Sequence, residues 1–379
     1  MRKRDRLGFK SNGMRKPACI LVAGALIALL GGLAYSAQQK AGLSGSGPVV
    51  RGTPDDPHRD PREAHLFHVK QLTFGGTNAE AYFSPDGKRL IFQSTRDPYK
   101  CDQMFVMNTD GSDAHLVSTG RGKTTCGYFF KDGKHILYSS THLASAECPP
   151  RPDYSKGYVW GARSSFQIFY ADEKGEILKK LTHGPGYNAE ATLSRDGKKI
   201  VFTSQREGDL DIYTMNADGS GLKRLTHELG YDGGPFFSPN GKWIVCRAHH
   251  PASPEDITRY KELLSQDLVE PMKMDLYVMR TDGSRQKQIT RLGGASFAPY
   301  FFPDGYRIIF ASNYETPGTS QFELYAVNRD GGGLECITYT GGFNSFPMFS
   351  PDGKKLVFAS NRNAKRPHEI NIFIADWVP

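Results

Sequence analysis

The sequence lacks the short motifs by which many hydrolases and nucleotide-binding enzymes are recognised. It contains no Gly-x-Ser-x-Gly nucleophile elbow, no His-Glu-x-x-His metalloprotease motif, no phosphate-binding loop and no EF-hand loop. A separate catalytic domain is absent as well. The function must therefore be sought in the fold and its surface, and no catalytic residue, metal or cofactor is predicted.

The chain also has little excess of charge once its first residues are set aside. The formal net charge is +8, but residues 1–36 hold seven Lys or Arg and one Asp, a net of +6, which leaves only +2 for the remainder. A basic surface of the kind that binds nucleic acid is not indicated. No nucleic-acid partner is expected.

Residues 1–36 resemble an export signal. Met14-Arg15-Lys16 precedes an apolar run from Ala18 to Leu33, and small residues that suit cleavage follow it. An uncleaved inner-membrane anchor over residues 18–37 is the alternative, although the run is rich in Gly and short for a span of about 20 residues. Either way the rest of the chain is expected to be periplasmic or otherwise extracytoplasmic, with membrane contact only through this segment.

Residues 37–64 are rich in Gly, Ser, Pro and charge. They carry too little apolar surface to form a core, so they predict a disordered linker.

One repeated unit makes up the remainder, and residues 187–226 are its plainest copy. Its β-rich runs are separated by Asp-Gly turns, a strong hairpin signal because Gly adopts a positive φ without steric penalty. Each unit therefore predicts a four-stranded antiparallel meander, with strands A to D. The first turn of the unit occurs six times: Asp86-Gly87, Asp132-Gly133, Asp196-Gly197, Asn240-Gly241, Asp304-Gly305 and Asp352-Gly353.

Six such units predict an all-β fold, a six-bladed β-propeller over residues 65–379. The run that ends at Thr73 matches strand D of later repeats, whereas the last repeat stops after its strand C, near Trp377. We therefore expect the N-terminal strand to complete the sixth blade, because an open ring would expose a strand edge. A monomer is expected.

Two blades carry long insertions between strands B and C, at residues 141–163 and 249–273. Because strand direction alternates, both insertions and the starts of all strands A lie on one face of the disc, here called the insertion face. Ser253-Pro254 predicts the start of a short helix in the second insertion, whereas the first predicts an irregular flap. Long loops on a rigid scaffold are common binding sites.

The repeats resemble the C-terminal propeller of TolB and the wider set of TolB-like bacterial propellers. The resemblance is carried by Phe83–Lys88, Phe237–Lys242 and Phe349–Lys354, and by the strand-C motif Asp211–Gly219. It implies a six-bladed ring and an extracytoplasmic location. TolB also has a separate N-terminal α/β domain, where this chain has only the linker. The same repeat type occurs in peptidase-associated propellers and, more distantly, in oligogalacturonate lyases, so the fold alone assigns no function.

A short polar residue stands at the start of strand A in every blade, and acids follow two residues later in the first and third blades, at Glu80 and Glu190. We expect the first column to ring the axial channel near the insertion face. They either bind channel water and end turns or form a ligand or peptide site. The first column is Asn78, Thr124, Asn188, Asp232, Ser296 and Asn344.

The fourth blade departs from the pattern of strand B, because Arg247 stands where other blades have smaller residues, with His249 and His250 after it. Together with Asp232 and Glu190 these residues would suit a carboxylate or a metal, and a solvated histidine pair is the alternative. The candidate ligand-binding set is Asn78, Glu80, Asn188, Glu190, Asp232, Arg247, His249 and His250.

Three arginines recur as Ser-x-Arg at the end of strand B: Arg96, Arg206 and Arg362. Recurrence in several blades favours a structural task over a single active site.

Three cysteines, Cys101, Cys126 and Cys148, belong to the insertion face of the first two blades. An oxidising compartment favours one disulfide among them. Cys101–Cys126 is the preferred pairing, and Cys148 could replace either partner.

Two functional hypotheses follow. The first is a non-catalytic scaffold that holds a protein, peptide or glycan partner in the cell envelope through the insertion face. The alternative is a propeller enzyme of the lyase or hydrolase type, with Arg247, His249, His250 and Asp232 at the channel mouth, around a metal.

Overall fold

The computed structural model describes residues 56–379, and these form a six-bladed β-propeller. Each blade is a four-stranded antiparallel sheet, as predicted. The signal or anchor predicted for residues 1–36 lies outside the described residues.

The first three blades follow the chain directly from strand A to strand D. The second of them contains the first insertion between its strands B and C. Their strands are β2 (Thr77–Phe83), β3 (Arg89–Thr95), β4 (Gln103–Asn108) and β5 (His115–Leu116) in blade 1; β6 (Thr124–Phe129), β7 (His135–Ser140), β9 (Gln167–Asp172) and β10 (Ile177–Lys180) in blade 2; and β11 (Asn188–Leu193), β12 (Lys199–Ser204), β13 (Asp211–Asn216) and β14 (Lys223–Arg224) in blade 3.

The last three blades repeat this plan, except that the final blade takes its outer strand from the start of the chain. Their strands are β15 (Tyr231–Phe237), β16 (Trp243–His249), β18 (Asp275–Arg280) and β19 (Lys287–Gln288) in blade 4; β20 (Ser296–Phe301), β21 (Arg307–Ser312), β22 (Glu323–Asn328) and β23 (Glu335–Cys336) in blade 5; and β24 (Asn344–Phe349), β25 (Lys355–Ser360), β26 (Asn371–Trp377) and β1 (Leu66–Gln71) in blade 6.

The ring closes as predicted, because β1 pairs antiparallel with β26. Leu66 lies opposite Trp377, and Gln71 lies opposite Phe373. The pairing covers the edge that β26 would otherwise present to solvent or to another chain.

Strand B forms the core of every blade. Its apolar run is buried on both sides, which is why it reads as a continuous run rather than an alternating one. Each fully buried side chain of this kind contributes about 1.5–3 kcal/mol. The three central residues of each run have no exposed surface: Leu90, Ile91, Phe92, Ile136, Leu137, Tyr138, Ile200, Val201, Phe202, Ile244, Val245, Cys246, Ile308, Ile309, Phe310, Leu356, Val357 and Phe358.

Residues 56–64 pack onto the ring, so the linker prediction is wrong for this part of the chain. Glu63 is fully buried, and its Oε1 lies 3.1 Å from Nη2 of Arg362. The Arg59 guanidinium lies 4.4 Å from the centre of the Phe67 ring. The composition predicted that the charged residues of this segment are solvated. Instead, Glu63 and Arg59 contact Arg362 and Phe67 in blade 6. The rest of the predicted linker, residues 37–55, is outside the described part.

The two insertions meet above blade 3. The first contains a 3-10 turn at Tyr154–Lys156 and the short strand β8 (Trp160–Gly161), so it is more regular than the predicted flap. The second contains helix α1 (Pro254–Leu264), whose Ser253 side chain accepts a hydrogen bond from the Asp256 backbone as predicted, and strand β17 (Leu268–Val269). β8 and β17 pair antiparallel. We call β8, β17 and α1 the roof.

The disulfide joins Cys101 to Cys148, with the two Cα atoms 5.9 Å apart. The predicted Cys101–Cys126 pairing is therefore wrong. Cys126 is a free, buried thiol whose side chain lines the axial cavity described below, whereas Cys148 belongs to the first insertion. The bond ties that insertion to blade 1.

α1 is 11 residues long. Within residues 56–379, no helix combines the length and the apolar character that a bilayer crossing requires.

Candidate functional site

Each strand A contains a bulge at which one residue takes a left-handed backbone conformation. The register of every A–B pair shifts at this point, as between Ala79 and Tyr82 in blade 1. Such bulges re-aim side chains, and here they direct one residue per blade toward the axis. The residues and their φ angles are Glu80 (51°), Cys126 (54°), Glu190 (58°), Gly234 (56°), Ala298 (50°) and Phe346 (53°).

These six bulge residues line a cavity of about 170 Å³ at the insertion-face end of the axis, here called the axial cavity. The residues that ring the axis are therefore those of the second column, two positions after the first. Trp160 of the roof also lines the cavity, and its ring centre lies 5.6 Å from that of Phe297. Glu80, Trp160 and Phe346 keep part of their surface exposed, so solvent reaches the cavity.

A layer of aromatic side chains closes the axis below the cavity. It comes from the next inward-facing position of strand A, two residues after the bulge. Tyr82 lies 5.6 Å from both Tyr128 and Phe236, and Phe236 lies 5.3 Å from Tyr300, between ring centres. A second cavity of about 340 Å³, lined by the Phe-Ser-Pro turns, lies at the opposite end. The axial channel is thus divided in two.

Arg247 and Glu190 form an ion pair in the wall of the axial cavity. Their side chains are only 8% and 12% exposed. The Glu190 carboxylate also accepts hydrogen bonds from Thr203 Oγ1 at 2.7 Å, Tyr231 Oη at 3.0 Å and Gly234 N at 2.9 Å. Burial lowers the pKa of Arg247, but Glu190 and Tyr231 outweigh it and raise the pKa above its usual value, so the guanidinium stays charged.

The Arg247 side chain occupies the space that a side chain at Gly234 would need. A Cβ at Gly234 would lie 1.9 Å from Nη1 of Arg247. Blade 4 therefore has an arginine where the other blades have a smaller strand-B residue, and it has a glycine at the bulge, which leaves space for that arginine. Nε of Arg247 is buried and has no hydrogen-bond partner among the described residues.

Glu80 differs from Glu190, because no ion pair among residues 56–379 includes it. Its carboxylate lies beside the Cys126 thiol. Burial in the cavity, helped by the nearby Glu190 carboxylate, raises the pKa of Glu80 to about 7, although the thiol and Arg247 lower it. Burial also raises the pKa of Cys126 well above its usual value, so this thiol is not activated as a nucleophile.

The first polar column does not reach the cavity, and its predicted place at the channel mouth is wrong. Asn78 and Asn188 are fully buried. Oδ1 of Asn78 accepts from Ser94 Oγ at 2.8 Å and from Nη2 of Arg96 at 2.7 Å, inside the blade. The bulge is the reason, since it breaks the two-residue alternation between this column and the next. The Ser-x-Arg arginines are structural, as predicted.

In blade 4 this internal hydrogen-bond network is replaced. Ala248 stands in place of the serine, and His250 stands in place of the arginine. Nε2 of His250 lies 3.2 Å from Oδ1 of Asp232. Burial lowers the pKa of His250, but its bond to Asp232 prevails and raises the pKa overall. Burial raises the pKa of Asp232, against the effect of His250.

His249 lies at the base of the second insertion, where Nδ1 is 2.9 Å from the Lys273 carbonyl oxygen. Burial lowers its pKa. The predicted set therefore divides: Arg247 lines the axial cavity, His250 pairs with Asp232, and His249 joins neither. Across residues 56–379, no three or more His, Cys, Asp or Glu side chains are grouped as metal ligands.

Sequence reasoning missed the apolar wall of the cavity. Tyr82, Phe236 and Phe297 line it together with Trp160. A signal existed for the first two, since the position two residues after the bulge is aromatic in four blades. Trp160 had none, because its place depends on how the insertion folds back over the ring.

The fold and this cavity define a class, the six-bladed propellers with a ligand-sized cavity at one end of the axis. A family model described as the TolB beta propeller domain matches residues 158–267 and 262–376, more than half of the chain. The chain therefore belongs to the TolB β-propeller family.

Individual relatives share only a low sequence identity with this chain. The Tol-Pal system protein TolB of Wolinella succinogenes is 26% identical over 136 residues, which cover 35% of this chain and 28% of that protein. The structure of TolB from Acinetobacter baumannii shares 20% identity and a TM-score of 0.52, over 80% of this chain and 64% of that one. This chain thus spans little more than a quarter of the curated TolB that it matches.

A gluconolactonase from Xanthomonas campestris also has this fold, with 14% identity and a TM-score of 0.55 over 88% of this chain and 98% of that one. At such identities the likeness concerns the fold alone. Since a Tol-Pal protein and a lactonase share it, the fold does not decide between binding and catalysis.

Proposed function

We propose that this chain is an extracytoplasmic, non-catalytic propeller that holds a partner through its insertion face, with part of the partner entering the axial cavity. A protein or peptide segment is the favoured partner, and a glycan is the less favoured one. The location rests on the leader in residues 1–36, whether cleaved or kept as an anchor over residues 18–37. The Tol-Pal system named for one relative supports a partner in the cell envelope.

The observation that carries the proposal is the exposed apolar surface of the insertion face. In the first insertion, Leu143, Tyr154 and Tyr158 are 62%, 60% and 51% exposed. Phe74, in the connection that leads to strand A of blade 1 on the same face, is 78% exposed. Aromatic residues are enriched where proteins bind each other.

The rigidity of this surface supports a binding role. The roof is anchored to blade 3 by Tyr260, whose hydroxyl lies 2.5 Å from Oδ1 of Asp209 and 2.7 Å from the Gly230 carbonyl oxygen. The disulfide to Cys101 holds the other insertion. A surface that is ordered before binding loses less entropy when the partner arrives.

The enzyme alternative has no such support. It requires Arg247, Asp232 and the histidines to face one substrate, whereas Arg247 lines the axial cavity and His250 pairs with Asp232 outside the lining of that cavity.

The test is capture of a partner from an envelope extract, using the full chain and a variant with Leu143, Tyr154 and Tyr158 all changed to Ser. The matched control changes Leu178, Leu222 and Tyr306 to Ser, because these side chains are exposed outside the insertion face. We expect the control to capture the same protein as the wild type and the face variant to lose it. A partner list unaltered in the face variant, or lost equally in the control, would refute the proposal.

A further inference from the structure

From the charges and walls of the axial cavity we infer that it binds a cationic group, such as the ammonium or guanidinium end of a basic side chain, between Glu80 and the aromatic rings. The inference rests on the proposed function, since it names the part of the partner that enters the cavity.

The charge balance of the cavity favours a cation. Glu190 and Arg247 neutralise each other, and Glu190 has further donors in Thr203, Tyr231 and Gly234. Glu80 forms no ion pair among residues 56–379, although Arg247 is near enough to lower its pKa. Partly buried charges are stable when paired, so the group that complements this cavity is positive.

The walls agree with this sign. Five aromatic side chains line the cavity: Tyr82, Trp160, Phe236, Phe297 and Phe346. The face of an aromatic ring carries partial negative charge and attracts ammonium and guanidinium groups. Trp160 already does so within the protein, because the Arg247 guanidinium lies 5.4 Å from the centre of its ring. An anion would meet these ring faces as well as Glu80.

The size of the cavity limits what enters. Its volume of about 170 Å³ leaves room for several water molecules. The end of one side chain fits this space, whereas a folded segment or several sugar rings do not. The rest of the partner must therefore lie on the insertion face outside the cavity.

Ligand binding should be coupled to the protonation of Glu80, whose pKa burial raises to about 7. A bound cation favours the carboxylate, so the affinity for a cation should increase from about pH 6 to about pH 8. A bound anion would favour the protonated acid and give the opposite slope. The charged or titratable groups around Glu80 are Tyr82, Asp102, Lys123, Cys126, Glu190 and Arg247.

The experiment compares three small probes on the purified full chain: n-butylammonium, 1-butanol and butyrate. Binding is followed by tryptophan fluorescence, to which Trp160 contributes along with Trp243 and Trp377, and by NMR. We expect n-butylammonium to bind best, and Glu80→Gln to weaken it by about tenfold, since a hydrogen bond to a charged group contributes about that much. Glu147→Gln is the matched control, because Glu147 is exposed on the first insertion. It should leave binding unchanged.

Three results would overturn the inference: butyrate binding as tightly as n-butylammonium, equal affinity in the wild type and Glu80→Gln, or no saturable binding of any probe to the wild type. If Glu80→Gln fails to fold, the slope of wild-type affinity with pH decides instead. If the Glu80→Gln protein no longer binds the cation but still captures the partner, the cavity has no role in partner binding, and the proposed function stands. Failure of the insertion face to capture a partner would refute the proposed function.

Discussion

The buried ion pair at the ring closure offers the sharpest test of this structure, because the repeats supply its own control. Arg362 and Arg206 occupy equivalent Ser-x-Arg positions, and each donates to the asparagine at the start of strand A, at 2.9 Å. Only Arg362 also pairs with an acid, Glu63, and the two side chains are 2% and 0% exposed. The comparison therefore isolates the contribution of Glu63.

We expect Arg206→Ala to lower the free energy of unfolding by about 1–2 kcal/mol. The variant loses the hydrogen bonds to Ser204 and Asn188 and the contact with the Tyr213 ring. Arg362→Ala loses similar contacts and leaves the Glu63 carboxylate buried without its partner, which costs about 3–5 kcal/mol. The difference of about 2–3 kcal/mol should appear in denaturant unfolding and as a melting temperature lower by roughly 4–8 °C.

The pH dependence of this difference has a definite sign. Burial raises the pKa of Glu63 although Arg362 lowers it, and removal of Arg362 raises the pKa further. A carboxyl group whose pKa is raised by folding destabilises the folded state only when ionised. The difference in stability between Arg206→Ala and Arg362→Ala should therefore shrink as the pH falls from about 7 to about 4. At the lower pH, Glu63 is mostly protonated in both the folded and the unfolded state.

The Glu63→Gln change completes the experiment. In the Arg362→Ala background it removes the unpaired charge, so it should restore most of the lost stability. Equal unfolding of Arg362→Ala and Arg206→Ala at pH 7, or no recovery with Glu63→Gln, would refute the reasoning.

Three further changes test other parts of the structure. Gly234→Ala places a Cβ 1.9 Å from Nη1 of Arg247 and should lower the melting temperature, at a cost of about 1–3 kcal/mol. Cys148→Ser opens the disulfide to Cys101, across a sequence separation of 47, and should cost about 2–4 kcal/mol in denaturant unfolding under oxidising conditions. Tyr260→Phe removes the hydroxyl that anchors the roof and should speed amide hydrogen exchange in α1 by several-fold, at about 1 kcal/mol.

Each of these has a control within the chain. Gly241 has a φ of +66° and open space around its missing Cβ, so Gly241→Ala carries the backbone strain without the clash. Reductant should bring the wild type down to the stability of Cys148→Ser. Tyr154 is exposed, so Tyr154→Phe should leave exchange in α1 unchanged. These explanations would be contradicted if a variant and its control had equal effects, or if reductant left the stability of the wild type unchanged.

The sequence by itself determined the architecture, because each blade is specified by a local sequence pattern that recurs along the chain. Each Asp-Gly or Asn-Gly turn specifies a hairpin, each apolar strand-B run specifies burial on both faces, and the surplus strand at one end matches the deficit at the other. These signals need no knowledge of distant contacts. The helix start at Ser253 and the structural task of the Ser-x-Arg arginines were predicted for the same reason.

Only the tertiary structure decided which side chains share a site. The bulge in strand A separates Asn78 from Glu80 although they are only two positions apart, so that the asparagine lies inside the blade. His250 looks like a ligand beside Arg247, but it replaces the arginine of other blades and bonds to Asp232. Cys148, Trp160 and Glu63 find their partners across 47, 87 and 299 positions of sequence. Such contacts depend on how loops fold back over the ring, which no local pattern encodes.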